Sequence, residues 1–426
     1  MLLVIGAMAA VSHAQALPPV PIPAENPWTP EKAILGKMLF WDQQLSTDQT
    51  KACGSCHSFA TGGAEAAPGL HPGMDAVFET SDDIVGSEGV RRRTSSYQLV
   101  DDPIFGFTPQ VTGRAAPNFF GGLWAPNLLL DGRATSEFRD PLTGEVVIAT
   151  GGGLESQSLV PILNDVEMAE EGRTWAGVVD RLDGIHPLDL ATDLPPDVTA
   201  ALAVMPVYRL LFAAAFGDPA ITPVRIAFAI ASYERTLVSD QTPWDDFMAG
   251  NSSALDQLEI DGWNIFSAVG CADCHVPPLF TDNSFRTIGV RDPADDNGRE
   301  AITGDPADRG AFKVPTLRNA ALKTTRFHTG EVSTVLDAVF FYRPGGQPSV
   351  ENLDPLLPIS LAFQDRTAVT AFLEGALTDP RVAMELPPFD RPTLGPIPVP
   401  EPGFATGLLF LGLTGLIVAS PRARRA

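Results

Sequence analysis

Every cysteine in the chain falls in one of two short stretches, Cys53-Gly54-Ser55-Cys56-His57 and Cys271-Ala272-Asp273-Cys274-His275. Thiols three positions apart can each take one vinyl group of a porphyrin, and the adjoining histidine can reach the iron. Each stretch therefore has the C-x-x-C-H form that attaches a c-type haem. This reading assigns two covalent haem c groups, attached through Cys53, Cys56, Cys271 and Cys274 and ligated by His57 and His275. Two structural disulfides, or one four-cysteine zinc site, would also use C-x-x-C pairs, but neither needs a histidine directly after both.

The elements that must position these stretches belong to an ordinary globular chain. Its 426 residues are 44% hydrophobic and 19% charged, enough for two or three compact domains. A formal net charge of -23 argues against nucleic acid as a partner and suits an exported protein that could steer a basic one. Both ends read as processing signals. Met1 to Val11 is apolar and leads to Ala14-Gln15-Ala16, a signal-peptidase pattern with cleavage after Ala16, although the usual basic residues before it are missing. A buried N-terminal helix is the alternative.

Between them, Leu17 to Pro30 is a proline-rich lead-in, and Ile34, Leu35, Met38, Leu39 and Trp41 recur at helical spacing from Pro30 to Trp41. Gly36-Lys37-Met38-Leu39-Phe40 ahead of the first motif is echoed by Gly262-Trp263-Asn264-Ile265-Phe266 ahead of the second, so two copies of one helical haem-binding unit are expected. Residues 62–153 are dense in glycine and proline and read as long loops over the first haem. Further helices are expected at 173–182, 206–216, 223–238, 254–266, 333–342 and 366–377, with a polar loop over 292–310. No glycine-rich phosphate loop and no strand-helix alternation appears. The fold class expected is mainly α, two cytochrome c-like haem domains with long loops. The boundaries are 1–16 signal peptide, 17–240 N-terminal domain, 241–386 C-terminal domain, and 387–426 linker and C-terminal sorting or transmembrane segment.

Around the two motifs the chain resembles the bacterial di-haem cytochrome c peroxidase family, including relatives that mature the tryptophan-derived cofactor of methylamine dehydrogenase. The resemblance spans about residues 30–378. Its carriers are LGKMLFWDQQLS, DGRA at Asp131 to Ala134, ESQSLVPILNDVEM at Glu155 to Met168, FGDPAIT, IAFAIASYERTLVS, GDPADRGAFKVPTLRNAAL, FHTGEVSTVLDAVFFY and AFLEGALTDP. The tail Val399-Pro400-Glu401-Pro402, an apolar run of about 17 residues from Phe404 and then Arg422, Arg424 and Arg425, resembles a Pro-Glu-Pro C-terminal (PEP-CTERM) sorting signal. A permanent membrane anchor is the alternative to a cleaved tail, and a homodimer is allowed for.

The resemblance implies that the first haem reacts with hydrogen peroxide and the second takes electrons from a small cytochrome c or cupredoxin. It places Glu167 as the catalytic glutamate and Gln157 as a pocket glutamine, His71 as a removable sixth ligand to the first haem with Met74 as a competitor, and Tyr342 as sixth ligand to the second, where peroxidases carry methionine. A solvated acid, a loop histidine and a packed core tyrosine are the respective alternatives. His328 is read as a packing residue near the second haem, and His186 has no motif support. Calcium between the haem domains would use carbonyls of Lys323 and Thr325, but Arg91-Arg92-Arg93-Thr94-Ser95 stands where the family has its asparagine. Just before DGRA the family's bridging tryptophan is replaced by Leu130, with Trp124 nearby.

The leading expectation is an exported peroxidase, periplasmic or sorted to the outer surface or extracellular matrix. A maturation-type oxidase acting on a protein side chain and a non-enzymatic electron carrier are the other readings.

Overall fold

The computed structural model describes residues 16–346 and 350–395. The apolar start through Gln15 and the Pro-Glu-Pro tail lie outside the described residues. Among the described residues no single helix is long and apolar enough to cross a membrane.

Helix α1 (Pro30–Trp41) starts where expected because proline occupies its first turn and the Thr29 hydroxyl accepts the Lys32 N–H at 3.2 Å. A short turn, α2 (Cys53–Cys56), carries the first cysteine pair. The first half continues with α3 (Gly153–Leu159), α4 (Trp175–Gly184), α5 (Pro196–Val204), α6 (Tyr208–Phe216) and α7 (Pro223–Glu234). The second half holds α8 (Pro243–Met248), α9 (Gln257–Ala268), α10 (Glu300–Thr303), α11 (Val335–Phe341), α12 (Arg366–Ala371) and α13 (Pro380–Ala383). Helix α7 stops four residues before the expected end. Its last turn tightens, Leu237 N–H donating to Glu234 C=O, while the Arg235 side chain turns to an ion pair with Glu155.

Apolar burial falls into two large clusters. One gathers Leu35, Met38, Trp41, Phe59, Tyr208, Phe212, Ile226 and Ile230. The other gathers Trp244, Phe266, Phe280, Val339, Phe372 and Leu377. The echoed glycines explain how each cluster is built. A Cβ on Gly36 would lie 1.9 Å from the Ala229 carbonyl oxygen of α7, and one on Gly262 would lie 2.0 Å from that of Ala368 in α12. Both glycines let the helix leading to a haem motif touch the backbone of its partner helix. Arg318 knits the chain where the halves meet, donating to Ser239 C=O at 3.1 Å and to both Asp245 carboxylate oxygens at 2.8 and 2.7 Å.

The region expected as loops over 62–153 contains two small antiparallel sheets, β1 (Pro68–His71) with β2 (Ile84–Ser87) and β3 (Phe138–Arg139) with β4 (Val146–Ile148). A third pairs β5 (Phe285–Arg286) with β6 (Phe312–Lys313). One boundary needs correcting. Residues 387–395, expected as linker, are packed: Phe389 is fully buried against Phe59 and Phe120 of the first cluster, and Thr393 exchanges backbone hydrogen bonds with Thr192.

Candidate haem centres

Helix α1 hands the chain to α2 so closely that a Cβ on Gly54 would lie 2.1 Å from the Trp41 ring. Cys53, Cys56 and His57 then line a cavity whose walls include Phe40, Leu130, Gln157, Glu167, Glu234 and Lys313.

The histidines carry the clearest chemical information. His57 Nδ1 lies 3.0 Å from Gly63 C=O and His275 Nδ1 lies 3.1 Å from Phe280 C=O. A carbonyl only accepts, so each Nδ1 bears the proton and each Nε2 lone pair is left for iron. Burial lowers the pKa of both rings, favouring the neutral ligating form. His71 shows the opposite arrangement. Its Nδ1 accepts the Gly73 N–H at 3.1 Å, so its Nε2 carries the proton. It ends β1, its ring 5.8 Å from that of Phe105, and it is not among the cavity walls. Ligation by His71 would require both a swing of the ring and a change of tautomer. Met74 is exposed.

Glu167 and Gln157, ten positions apart, are brought to the same cavity as His57. Gln157 rides on α3, which is pinned by the fully buried Glu155 carboxylate holding Arg235 at 2.7 Å. The Glu167 backbone is clamped from two sides. Asn164 Oδ1 accepts its N–H at 3.1 Å, and Gly89 approaches so closely that a Cβ there would lie 1.8 Å from the Val166 oxygen. Burial raises the Glu167 pKa, partly offset by the Arg133 guanidinium.

At the second stretch the Cys274 C=O accepts the Asp282 N–H at 2.9 Å, and Phe266 lies 6.5 Å from the His275 ring. Trp244, Trp263, Phe280 and Phe372 pack around the same cluster. Tyr342, capping α11, packs against that cluster, and burial followed by the neighbouring Cys271 and Cys274 pushes its phenol well above the ordinary range. Both stretches therefore offer what a c-type haem needs: paired thiols and an oriented imidazole.

The other readings of the cysteines do not fit this arrangement. All four are free thiols, and among the described residues no cluster of three His, Cys, Asp or Glu side chains could hold a metal ion. Near the stretch expected to offer carbonyls to calcium, the buried Lys323 ammonium donates to Ala116 C=O at 2.8 Å. The His328 ring stacks 3.8 Å from the Phe312 ring. His186 Nδ1 lies at the surface, 3.0 Å from Pro206 C=O. Leu130 lines the first cavity and its C=O accepts the Lys313 N–H at 2.8 Å, whereas Trp124 is not a wall residue and donates to Pro18 C=O at 3.1 Å.

Sequence reasoning missed Glu234 and Lys313. The signal for Glu234 was its spacing, because it follows Ile226 and Ile230 at intervals of four on the inward face of α7. Lys313 sits in a two-residue strand that carries no periodic signal.

Comparisons with known proteins agree with this geometry. A family model described as di-haem cytochrome c peroxidase matches residues 30–253. A cytochrome c551 peroxidase of Nitrosomonas europaea is 31% identical over 341 residues, covering 79% of this chain and 80% of that one. The methylamine utilization protein MauG of Methylorubrum extorquens is 29% identical over 371 residues, covering 86% and 84%. Among solved structures, a MauG-like protein associated with microbial copper homeostasis shares the fold at a TM-score of 0.62 and 24% identity, covering 89% of this chain and 97% of that one. The diheme peroxidase BthA of Burkholderia thailandensis does so at 0.57 and 20%, covering 87% and 92%. With the family model spanning the first haem motif and a curated peroxidase aligned over most of the chain, this protein belongs to the di-haem cytochrome c peroxidase family and is an oxidoreductase of that kind.

Proposed function

We propose that the protein is an exported peroxidase that reduces hydrogen peroxide to water in the cavity beside Cys53 and Cys56, with electrons entering at Cys271 and Cys274 from a small cytochrome c or cupredoxin. The observation that carries this reading is that Glu167 and Gln157 share one cavity with His57. A covalent haem, when attached, supplies an iron that binds peroxide and passes electrons. The chain's own residues do the rest. His57 Nε2 would be the nitrogen left to bind the iron, because Nδ1 is spent on Gly63 C=O. Ionised Glu167 takes the proton from the nearer peroxide oxygen and returns it to the farther one, so that water is the leaving group. Its raised pKa makes it a stronger base than an exposed carboxylate. The Gln157 amide can donate to the farther oxygen and hold it in line.

Tyr342 beside Cys271 and Cys274 favours the second reading, a maturation-type oxidase. Leu130 in the first cavity's wall weighs against it, because an aliphatic side chain has no accessible oxidation with which to share oxidising equivalents. Stopped-flow spectroscopy of the holoprotein with peroxide, fully oxidised and half-reduced, with and without reduced cytochrome c, tests the proposal. Rapid reoxidation of the donor supports a peroxidase; peroxide-driven oxidation without donor turnover supports the alternative.

A further inference from the structure

The cavity beside Cys53 contains a second acid besides Glu167. Glu234 closes helix α7, is only 7% exposed and lines the same walls as Glu167 and Gln157. Its Oε2 is buried and meets no hydrogen-bond donor among the described residues. A buried carboxyl left without donors is costly when ionised and far less so when protonated, and it will seek a partner in the space it faces. Its neighbours do not relieve it. Arg235, next in sequence, is committed to Glu155 through contacts at 2.7 and 3.1 Å. Tyr233 on the same helix accepts the Trp41 indole N–H at 3.0 Å. Cys53, bonded to haem in the holoprotein, would be an uncharged thioether with no proton to give. The same walls also carry Lys51, Cys56, His57, Glu167 and Lys313. Of the two lysines, Lys51 is paired with Glu88 at 3.7 Å, and Lys313 is held at 2.7 Å by Asn283 Oδ1.

We propose that Glu234 is a proton-holding residue of the first haem cavity, delivering one of the two protons that the reduction half of the peroxide reaction consumes. The proposal rests on the peroxidase reading and adds to it. The balance is H2O2 + 2 H⁺ + 2 e⁻ → 2 H2O. Glu167 only moves a proton between the two peroxide oxygens, which releases the first water. The other peroxide oxygen needs two electrons from the donor and two protons from outside the peroxide to become the second water. Glu234, protonated at neutral pH, gives one such proton from its carboxyl O–H and is recharged from solvent. Burial and the Glu155 charge, against Arg235, raise its pKa to about 8. The sign follows: the protonated form is the competent one, so delivery is intact below that value and fades as pH rises through it.

The test compares wild type with Glu234→Gln and Glu234→Asp as holoproteins. Stopped-flow spectra separate peroxide cleavage from the later decay as electrons arrive, between about pH 6 and pH 10. Glu234→Gln should slow the decay phase about tenfold or more at neutral pH, much more than it slows cleavage, and flatten that phase's fall near pH 8. Glu234→Asp should restore part of the pH dependence. Independently of turnover, infrared spectra should show a protonated-carboxyl band in the wild type that shifts in D2O and is missing from Glu234→Gln. A decay phase with the same rate and pH profile in Glu234→Gln as in wild type, or the same infrared band in both, overturns the proposal. Failure of the wild type to cleave peroxide at the haem held by Cys53 and Cys56 would instead overturn the peroxidase reading on which it rests.

Discussion

The two haem stretches are approached by the same construction and then diverge. In each, a helix whose glycine touches a partner backbone delivers a C-x-x-C-H stretch, and the histidine Nδ1 is tied to a carbonyl at 3.0 or 3.1 Å. Beyond that point the first stretch lines a cavity with carboxyl and amide groups in its walls. The second is packed among Trp244, Trp263, Phe266, Phe280 and Phe372, with a phenol beside its cysteines. Chemistry with peroxide needs room and a proton carrier; electron relay needs a site that changes little between oxidation states. The divergence is what supports the proposed roles, which the shared motif by itself does not tell apart.

Removing one histidine at a time strikes this comparison hardest. His57→Ala should lose peroxide turnover while the haem at Cys271 and Cys274 keeps its spectrum. Peroxide reacting only at that second haem would reverse the assignment. Next in size is Glu167→Gln, which should leave both resting spectra intact and slow peroxide cleavage by about a hundredfold or more. The pH profile sharpens it. Glu167 must be ionised to accept a proton and its pKa is raised, so cleavage should slow as pH falls through a range above that of an ordinary carboxylate. The Gln variant should lack this acid limb, and a limb that survives would remove Glu167 from the mechanism. At the second stretch, Tyr342→Met should raise the haem potential by on the order of 0.1 V, a modest part of the roughly 0.8 V that axial ligands span. An unchanged potential and spectrum would show that Tyr342 only packs.

How much of this was legible in the sequence depends on how locally each feature is encoded. The haem stretches and α1 are local: spacing, a proline and a capping threonine suffice. The echo between Gly36 and Gly262 was visible as a weak repeat, but its cause, two helix crossings too close for a Cβ, is a tertiary fact. The pairing of Glu167 with Gln157 was legible only through resemblance, because a turn held by Asn164 and Gly89 brings them together. His71 shows the limit most plainly. Its position in the chain fits a ligand, but only the structure shows its Nδ1 accepting the Gly73 N–H. Phe389 was misjudged because proline-rich sequence reads as linker, and nothing nearby in the chain announces the aromatic pocket of Phe59 and Phe120 that receives it.

The smallest expected effect concerns the route between the two regions. Leu130 lines the first cavity, and its C=O accepts the Lys313 N–H at 2.8 Å. The Lys313 ammonium donates to Asn283 Oδ1 at 2.7 Å, and the neighbouring Asp282 N–H donates to the Cys274 C=O at 2.9 Å. A continuous run of bonds and hydrogen bonds thus joins the cavity wall to the second haem stretch without an oxidisable ring. Trp124 stands off this run, its indole N–H held by Pro18 C=O at 3.1 Å. Leucine permits tunnelling but cannot itself be oxidised, so an indole in its place should speed transfer wherever it offers a stepping site. Leu130→Trp should therefore raise the rate of electron arrival at the peroxide-oxidised first haem several-fold in stopped-flow measurements, provided the cavity accommodates the ring, which haem content and resting spectra would report. Trp124→Phe should leave that rate unchanged. A large loss in Trp124→Phe with no gain in Leu130→Trp would move the route to the preceding loop and remove the argument by which Leu130 favours a peroxidase over a maturation-type oxidase.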